Sequence, residues 1–220
     1  MKFRALLFDF DGVLIESEYA GNKQLAEWLT ANGHPTSVED SMANFMGLAA
    51  RDFHAAVERW IGGPLPDAFH AARAEEDARV MEAGVEAVEG AVAFVQSLPP
   101  GLPKAIVSSS SSAWIRRHLE HIGLDGAFEP HIYSGREHVA RGKPAPDLYL
   151  HAAERLGVPI ADCAVIEDSP VGAKGAVASG AYVVGLCAGM HCAADHGDKL
   201  RALGVGTVAN RWSEVAGLLA

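Results

Sequence analysis

Short apolar runs that recur along the chain, with helical patterns between them, constrain its fold more than any other feature of the sequence. Near-continuous apolar runs of this length are typical of strands that are buried on both faces of a parallel sheet. The runs span residues 5–10, 104–108, 163–167 and 182–186. The helical patterns span residues 112–121, 147–156 and 170–179. This alternation predicts an α/β fold with a doubly wound, Rossmann-like parallel sheet.

Residues 16–86 interrupt the alternation with a stretch rich in Ala, Glu, His and Arg. Its apolar residues recur at helical spacing, as at Leu25 and Trp28, and it has no convincing strand pattern. We therefore predict an all-helical cap domain over residues 16–86, inserted into a core domain made of residues 1–15 and 87–220. An insertion after the first strand is expected to lie over the carboxyl ends of the strands, where open α/β sheets bind ligands. It would act there as a lid.

The charge balance restricts the partners of the chain, because 28 acidic residues against 18 basic ones give a formal net charge of −10. Nucleic acid and anionic membrane surfaces both bind clustered Lys and Arg, so neither is expected as a partner. An anionic small molecule would need a bound cation, a buried Lys or backbone N–H groups. No apolar stretch approaches the roughly 20 residues that span a bilayer. The three cysteines show no paired spacing. We expect a cytoplasmic protein that is a monomer or a weak homodimer.

Polar side chains follow the predicted strands at the points where those strands end. The residues are Asp9 and Asp11, Ser108, Lys143, Glu167 and Asp168. Since the carboxyl ends of parallel strands share one edge of the sheet, these side chains are expected to meet in one crevice. Acids held close together repel one another and resist ionisation unless a hard cation neutralises them. Mg²⁺ fits this requirement, because it prefers oxygen ligands and combines a few carboxylates with phosphate oxygens of a substrate.

The same residues supply the groups that phosphoryl transfer requires. Asp9 can attack phosphorus and form an aspartyl-phosphate, and Asp11 can protonate the leaving oxygen and later deprotonate water. Lys143 would spread the negative charge of the transferring group. Ser108, with the N–H groups of Ser109 and the residues after it, would hydrogen-bond the phosphoryl oxygens. An Asp-x-Asp-Gly segment alone could be an ordinary turn. The prediction of an active site therefore depends on the polar residues predicted at the ends of the other strands.

Together these segments resemble the haloacid dehalogenase superfamily, in particular its β-phosphoglucomutase-like and sugar-phosphatase branch with a helical cap. The matching segments stand in the family's order and cover nearly the whole chain. They are Asp9-Phe-Asp-Gly-Val-Leu, Val107-Ser-Ser, Gly142-Lys-Pro-Ala-Pro-Asp147 and Ile166-Glu-Asp-Ser169. The resemblance implies that Asp9 is the nucleophile and that Asp11 is the acid/base, whose backbone carbonyl also binds Mg²⁺. It implies that Ser108 and Lys143 hold the phosphoryl group. For the metal site it adds Glu167 and Asp168.

Asp11 and residues near it favour some reactions of this family over others. Dehalogenases of the family lack an acid at the place of Asp11, and the phosphonate-cleaving branch has a small residue there, so neither reaction is expected. The β-phosphoglucomutases have a histidine ten residues after the second aspartate, where this chain has Gly21. Their Asp-Ser or Asp-Thr pair at the hinge is replaced by Glu16-Ser17. These departures favour hydrolysis of a small phosphorylated metabolite, such as a sugar or sugar-acid phosphate, over a sugar-phosphate mutase.

The cap contributes two further candidates. Residues 46–51 resemble the specificity loop of the family, which makes Gly47 and Arg51 candidates for substrate binding, with Arg51 contacting a second anionic group. An alternative of another class is a non-catalytic phosphometabolite-binding protein on the same fold, since a fold does not fix a function. The complete set of acids argues against that alternative.

A stretch near the carboxyl end of the chain contains residue types that bind zinc. It reads Cys187-x3-His191-Cys192-x3-His196. Its spacing does not match the common structural zinc patterns. The sequence therefore favours no metal at these four residues.

Overall fold

The computed structural model describes residues 2–46, 48 and 50–219, without the side chains of Ala50 and Arg51. The chain divides into two compact units. One, called here the core unit, comprises Met1–Glu16 and Glu86–Ala220, and the other, the helical unit, comprises Ser17–Val85. Within the described residues, no helix is both long and apolar enough to cross a membrane.

The helical unit consists of α1 (Ser17–Ala31), α2 (Val38–Phe45), α3 (Ala50–Ile61) and α4 (Asp67–Ala83). Ser37 caps α2, because its Oγ accepts the N–H of Asp40 at 3.0 Å while the Asp40 carboxylate accepts the N–H of Ser37 at 3.1 Å. The apolar faces of the helices pack into a core that includes Leu25, Leu29, Phe45, Val57 and Phe69. The helical unit therefore has a hydrophobic core of its own.

The core unit is built on a six-stranded sheet with the strand order β3-β2-β1-β4-β5-β6, and all its neighbouring strands are parallel. The strands are β1 (Ala5–Phe8), β2 (Lys104–Ser108), β3 (Ile132–Ser134), β4 (Cys163–Glu167), β5 (Tyr182–Leu186) and β6 (Thr207–Ala209). The predicted doubly wound α/β class is confirmed, and β3 and β6 are additional to the strands that the sequence predicts. Strand order reverses beside β1, which places a ligand crevice at the carboxyl ends of β1 and β4.

The central strand β1 is buried along its whole length. Leu7 pairs with Ala105 of β2 on one side and with Val165 of β4 on the other. The Phe8 ring packs against Phe128 at a centroid distance of 5.4 Å. Each such apolar side chain contributes about 1.5–3 kcal/mol when it is fully buried. A strand packed in this way fixes the position of the residues that follow it.

The remaining helices of the core unit lie between these strands, except the last one, which follows β6. They are α5 (Ala91–Ser97), α6 (Ser112–His121), α7 (Asp147–Leu156), a 3-10 helix (Ile160–Asp162), α8 (Pro170–Ser179), α9 (His196–Ala202) and α10 (Trp212–Leu218). Ser169 caps α8, since its Oγ accepts the N–H of Gly172 at 3.0 Å, and Pro170 suits the first helical position. This cap places the acids that end β4 directly before the start of a helix.

Candidate active site

The chain turns sharply after β1. The Asp9 N–H donates to the carbonyl of Ile166 at 2.9 Å, so Asp9 is still paired with β4. Gly12 has a φ of 75°, a conformation that favours glycine, and its N–H donates to the carbonyl of Ile15 at 2.8 Å. A Cβ added at Gly12 would collide with the carboxylate of Asp168. The turn therefore packs closely against Asp168.

The ammonium group of Lys143 lies between two buried carboxylates. Its Nζ is 2.8 Å from Asp9 Oδ1 and also pairs with Glu167 Oε1, and the Lys143 side chain is only 3% exposed. Two hydroxyl groups hold Glu167: Tyr149 donates to Oε1 at 2.7 Å and Ser169 donates to Oε2 at 3.1 Å. Glu167 is thus fixed by its partners, and it in turn holds Lys143 against Asp9.

The pKa of Asp9 and the pKa of Lys143 are both raised, but for different reasons. Burial raises the pKa of Asp9 well above its ordinary value, and repulsion from Glu167 raises it further. Burial alone would lower the pKa of Lys143, but the carboxylates of Asp9 and Glu167 outweigh it and raise that pKa above its ordinary value. Lys143 therefore stays protonated at neutral pH. Asp9 resists ionisation, and an additional cation beside it would favour the carboxylate form.

The donor set around Asp9 fits a hard divalent cation. Asp9, Glu167 and Asp168 are all buried, and each offers a carboxylate oxygen that lies within 4.8 Å of the other two. The carboxylates of Asp9 and Glu167 share the one ammonium group of Lys143, which leaves negative charge for a cation to neutralise. Oxygen donors of this kind are the ligands that Mg²⁺ prefers. The residues present therefore fit Mg²⁺.

The backbone of α8 leaves no room beside Glu167. A Cβ added at Gly172 would overlap the carboxylate of Glu167. We expect Gly172→Ala to push Glu167 away from Lys143 and to lower the free energy of unfolding by about 1–3 kcal/mol, as overpacking commonly does. Chemical denaturation measures this loss.

Gly21 of α1 provides the matched control, because a Cβ added there meets nothing within 4 Å. Gly21→Ala is expected to raise the free energy of unfolding of its unit by about 0.5–1 kcal/mol, the gain typical of a helix interior. Equal stability of Gly172→Ala and the wild-type chain would show that Glu167 is not confined as the structure places it.

The carboxylate of Asp11 is held by residues at the end of β2 and after it. Ser110 Oγ donates to Asp11 Oδ2 at 2.6 Å, and Trp114 Nε1 donates to Asp11 Oδ1 at 3.1 Å. Ser108 Oγ is 3.4 Å from Asp11 Oδ2 and accepts the N–H of Ser110 at 3.0 Å. Ser109 is exposed in the same loop. The two aspartates after β1 thus have different partners, which suits two different chemical roles.

Two histidines contact Asp168 from the segment between β5 and α9. His191 Nε2 lies 2.8 Å from Asp168 Oδ2, and both side chains are only 2% exposed. His196 Nε2 lies 2.6 Å from the backbone carbonyl of Asp168. Burial lowers the pKa of His196, which favours its neutral form. The neutral ring can still donate from Nε2 to the carbonyl.

The structure brings together the core-unit residues that the sequence predicts for the site. Asp9, Lys143, Glu167 and Asp168 form the buried cluster, while Asp11 and Ser108 lie in contact beside it. In the helical unit, Gly47 and the side chain of Arg51 lie outside the described residues. The sequence alone does not indicate the supporting contacts that the structure shows for Ser110, Trp114, Tyr149, Ser169, Gly172 and His191. Their residue types are common elsewhere, and these contacts form only when the chain has folded.

Comparison with known proteins identifies the family. The model of the haloacid dehalogenase-like hydrolases matches residues 3–180 of this chain. The chain belongs to this family. The resemblance found in the motifs is confirmed, and within the haloacid dehalogenase-like hydrolases the chain falls in the sugar-phosphatase branch.

Individual haloacid dehalogenase-like relatives agree with this assignment. Hexitol phosphatase A of Escherichia coli (strain K12) is 32% identical over 192 residues, which are 84% of each chain. The 6-phosphogluconate phosphatase of the same strain is 28% identical and covers 86% of this chain and 85% of its own. A family hydrolase from Deinococcus radiodurans R1, solved with bound phosphate and sodium, is 34% identical with a TM-score of 0.88, and the match covers 100% of this chain and 96% of that one. The chain is a phosphatase of this family.

Proposed function

We propose that this phosphatase hydrolyses a small phosphorylated metabolite with Mg²⁺, through an aspartyl-phosphate formed on Asp9. One observation carries the proposal. Asp9 lies at the end of the central strand, 2.8 Å from the buried ammonium of Lys143, in a cluster of carboxylates that fits a hard cation. A nucleophile, a permanent positive charge and a metal site thus meet at one point.

The two steps of the reaction divide between Asp9 and Asp11. In the first step an Asp9 oxygen forms a bond to phosphorus, the bond to the ester oxygen breaks, and Asp11 protonates that oxygen. In the second step Asp11 takes a proton from water, the water oxygen bonds to phosphorus, and the bond to Asp9 breaks. The carboxylate of Asp9 and the protonated form of Asp11 are thereby regenerated. The hydrogen bonds from Ser110 and Trp114 orient Asp11 for its role.

The oxygens of the transferring group would be held by residues of the neighbouring strand ends. Lys143 supplies a fixed charge, because Glu167 also pairs with it and holds it in place beside Asp9. Ser108, at the end of β2, and the N–H of Ser109 supply hydrogen bonds. These donors are arranged before the reaction begins, so little reorganisation is needed when charge develops on the phosphoryl oxygens.

Mg²⁺, when bound, would neutralise the acids and withdraw charge from the transferring phosphoryl group. Its protein ligands would be the carboxylates of Asp9 and Asp168 and the backbone carbonyl of Asp11. Glu167 would complete the site from beside Lys143. Mg²⁺ and Lys143 together would offset the three carboxylates of the cluster, so that an anionic substrate would not enter a site of net negative charge.

The substrate we propose is a sugar or sugar-acid phosphate. The names of the two Escherichia coli relatives, a hexitol phosphatase and a 6-phosphogluconate phosphatase, support this class. The helical unit would act as a cap that excludes bulk water and selects the substrate. Gly47 and Arg51 are our candidates for substrate contacts in that cap.

A panel of phosphorylated metabolites tests the proposal. Purified protein, with Mg²⁺ or with a chelator, is incubated with hexitol, hexose and sugar-acid phosphates, and both free phosphate and isomeric phosphates are measured. We expect phosphate release that requires Mg²⁺ and is greatest for a member of this class. Isomer formation without release would instead identify a mutase, and release that persists in the chelator would contradict the metal site.

A further inference from the structure

We propose that residues 187–196, called here the Cys/His loop, form a second metal site that takes Zn²⁺ through two thiolates and two imidazoles. The ligands would be Cys187, His191, Cys192 and His196. The spacing of these residues does not predict a zinc site, but the folded loop brings them together. The inference is independent of the proposed function.

The side chains already converge to the dimensions of a small coordination sphere. The ligand atoms of His191, Cys192 and His196 lie within 4.8 Å of one another. Cys192 Sγ is 3.4 Å from His191 Nε2. Zinc bonds of about 2.0–2.3 Å give edges of about 3.5 Å in a tetrahedral site, so this pair has the required separation. Since the three ligand atoms lie within 4.8 Å of one another, their separations need to shorten by about 1.3 Å at most, which rotations of the side chains provide.

Cys187 supplies the fourth ligand because its thiol contacts that of Cys192. The hydrogen bond between the two sulfurs lowers the pKa of Cys187 and raises that of Cys192. A divalent cation can replace the proton of a thiol, since metal binding to cysteine releases protons. Two sulfur and two nitrogen donors form the set that structural zinc sites use.

His196 has the supporting contact expected of a metal ligand. A ligating histidine usually donates its other ring N–H to a carbonyl or carboxylate, which fixes the ring. His196 does so, with Nε2 at 2.6 Å from the carbonyl of Asp168. The His191 and His196 rings lie 5.6 Å apart between centroids and are nearly perpendicular, at 89°. Asp168 thus orients the ring of His196, and zinc bound to His191 Nε2 would replace the contact of that atom with the Asp168 carboxylate.

The loop is also fixed in place before any metal binds. Met190 N–H donates to Glu16 Oε2 at 2.9 Å, and Cys192 N–H donates to the carbonyl of Gly189 at 3.0 Å. A Cβ added at Gly189 would lie 2.6 Å from the His191 ring, so the loop backbone packs tightly on that ring. A site whose ligands are already held loses less conformational entropy on binding than an open loop would.

This site differs chemically from the carboxylate cluster at Asp9. Sulfur and imidazole donors favour Zn²⁺ or Co²⁺, whereas three carboxylates favour Mg²⁺. The two sites are adjacent, because His191 contacts Asp168, a residue of the carboxylate cluster. Zinc in the Cys/His loop would therefore anchor the segment that packs on Asp168.

Cobalt substitution tests the proposal on the full-length chain, kept reduced with a phosphine and stripped of metal with a chelator. Titration with Co²⁺ should produce a thiolate-to-cobalt charge-transfer band in the near ultraviolet that saturates at one equivalent and is abolished by added Zn²⁺. Cys187→Ser and Cys192→Ser should each weaken zinc binding by more than about tenfold and diminish the band. Asp9→Asn, which alters only the carboxylate cluster, should leave the band unchanged.

Cys163 provides the internal control, because it is buried in β4 with its Sγ directed to the carbonyl of Pro159 at 3.4 Å. Cys163→Ser should keep the cobalt band. In the wild-type chain, Zn²⁺ should slow the alkylation of Cys187 and Cys192 by iodoacetamide. Peptide mass spectrometry measures the rate at each cysteine, and this test does not depend on the folding of a variant. A missing charge-transfer band, a band that survives loss of both loop cysteines, or unprotected loop thiols would each overturn the proposal.

Discussion

Replacing Asp9 with asparagine is expected to lower kcat for phosphate release by about four orders of magnitude or more, the loss typical when a covalent nucleophile is removed. The amide retains the shape of the side chain and the position after β1, but it cannot attack phosphorus. Steady-state phosphate release under saturating Mg²⁺ measures the effect. Far-ultraviolet circular dichroism of the variant should match that of the wild-type chain.

Asp195→Asn is the matched control for this substitution. Asp195 is exposed, and its Oδ2 lies 3.0 Å from the exposed ammonium of Lys199. Its replacement should leave kcat unchanged, because it removes a carboxylate whose ion pair is solvated. Phosphate release by Asp9→Asn at a rate close to that of Asp195→Asn would remove Asp9 from the mechanism.

Replacing Lys143 with methionine should lower the free energy of unfolding by about 3–5 kcal/mol, because it leaves two buried carboxylates without their cation. Lys143 and its partner Glu167 are 3% and 0% exposed in their side chains, so solvent cannot replace the lost charge. Methionine keeps the length and apolar part of the side chain. Urea denaturation without Mg²⁺ measures the change.

Two controls separate charge from packing at Lys143. Lys199→Met removes an exposed ammonium whose ion pair is solvated, and its effect should stay below about 1 kcal/mol. Adding Glu167→Gln to Lys143→Met should recover part of the lost stability, because one of the unpaired carboxylates becomes neutral. The contrary result is that Glu167→Gln lowers the free energy of unfolding of Lys143→Met by as much as it lowers that of the wild-type chain. That result would show that the two side chains are not energetically coupled, contrary to what their contact indicates.

The parts of the fold that were predictable from the sequence are those whose signal is local. The strand over residues 104–108 is a continuous apolar run, and the structure has β2 at Lys104–Ser108. By contrast, β3 and β6 have three residues each, and they are strands because they pair with β2 and β5. Their own sequences show no strand pattern. Strands of this length carry too few residues for a period of two to be seen.

The chemistry of the site was predictable where motif residues stand at strand ends, as Asp9 and Glu167 do, and at Lys143, whose motif indicated it although it lies nine residues after β3. Tyr149 could not be found in this way, because its hydroxyl reaches Glu167 only after α7 packs beside the sheet. The same holds for Trp114, whose indole N–H meets Asp11 across 103 positions of sequence. The convergence of the Cys/His loop likewise depends on the path of the loop over Asp168, and spacing rules for zinc do not describe that path.

Trapping of the phosphorylated enzyme tests the central claim most directly. Wild-type protein is mixed with Mg²⁺ and a substrate found in the metabolite panel, quenched in acid during turnover, and treated with borohydride, which reduces an aspartyl-phosphate to homoserine. Peptide mass spectrometry should then find homoserine at position 9 and aspartate at position 11. Turnover that leaves Asp9 unmodified, or that places homoserine at another acid, would contradict the mechanism.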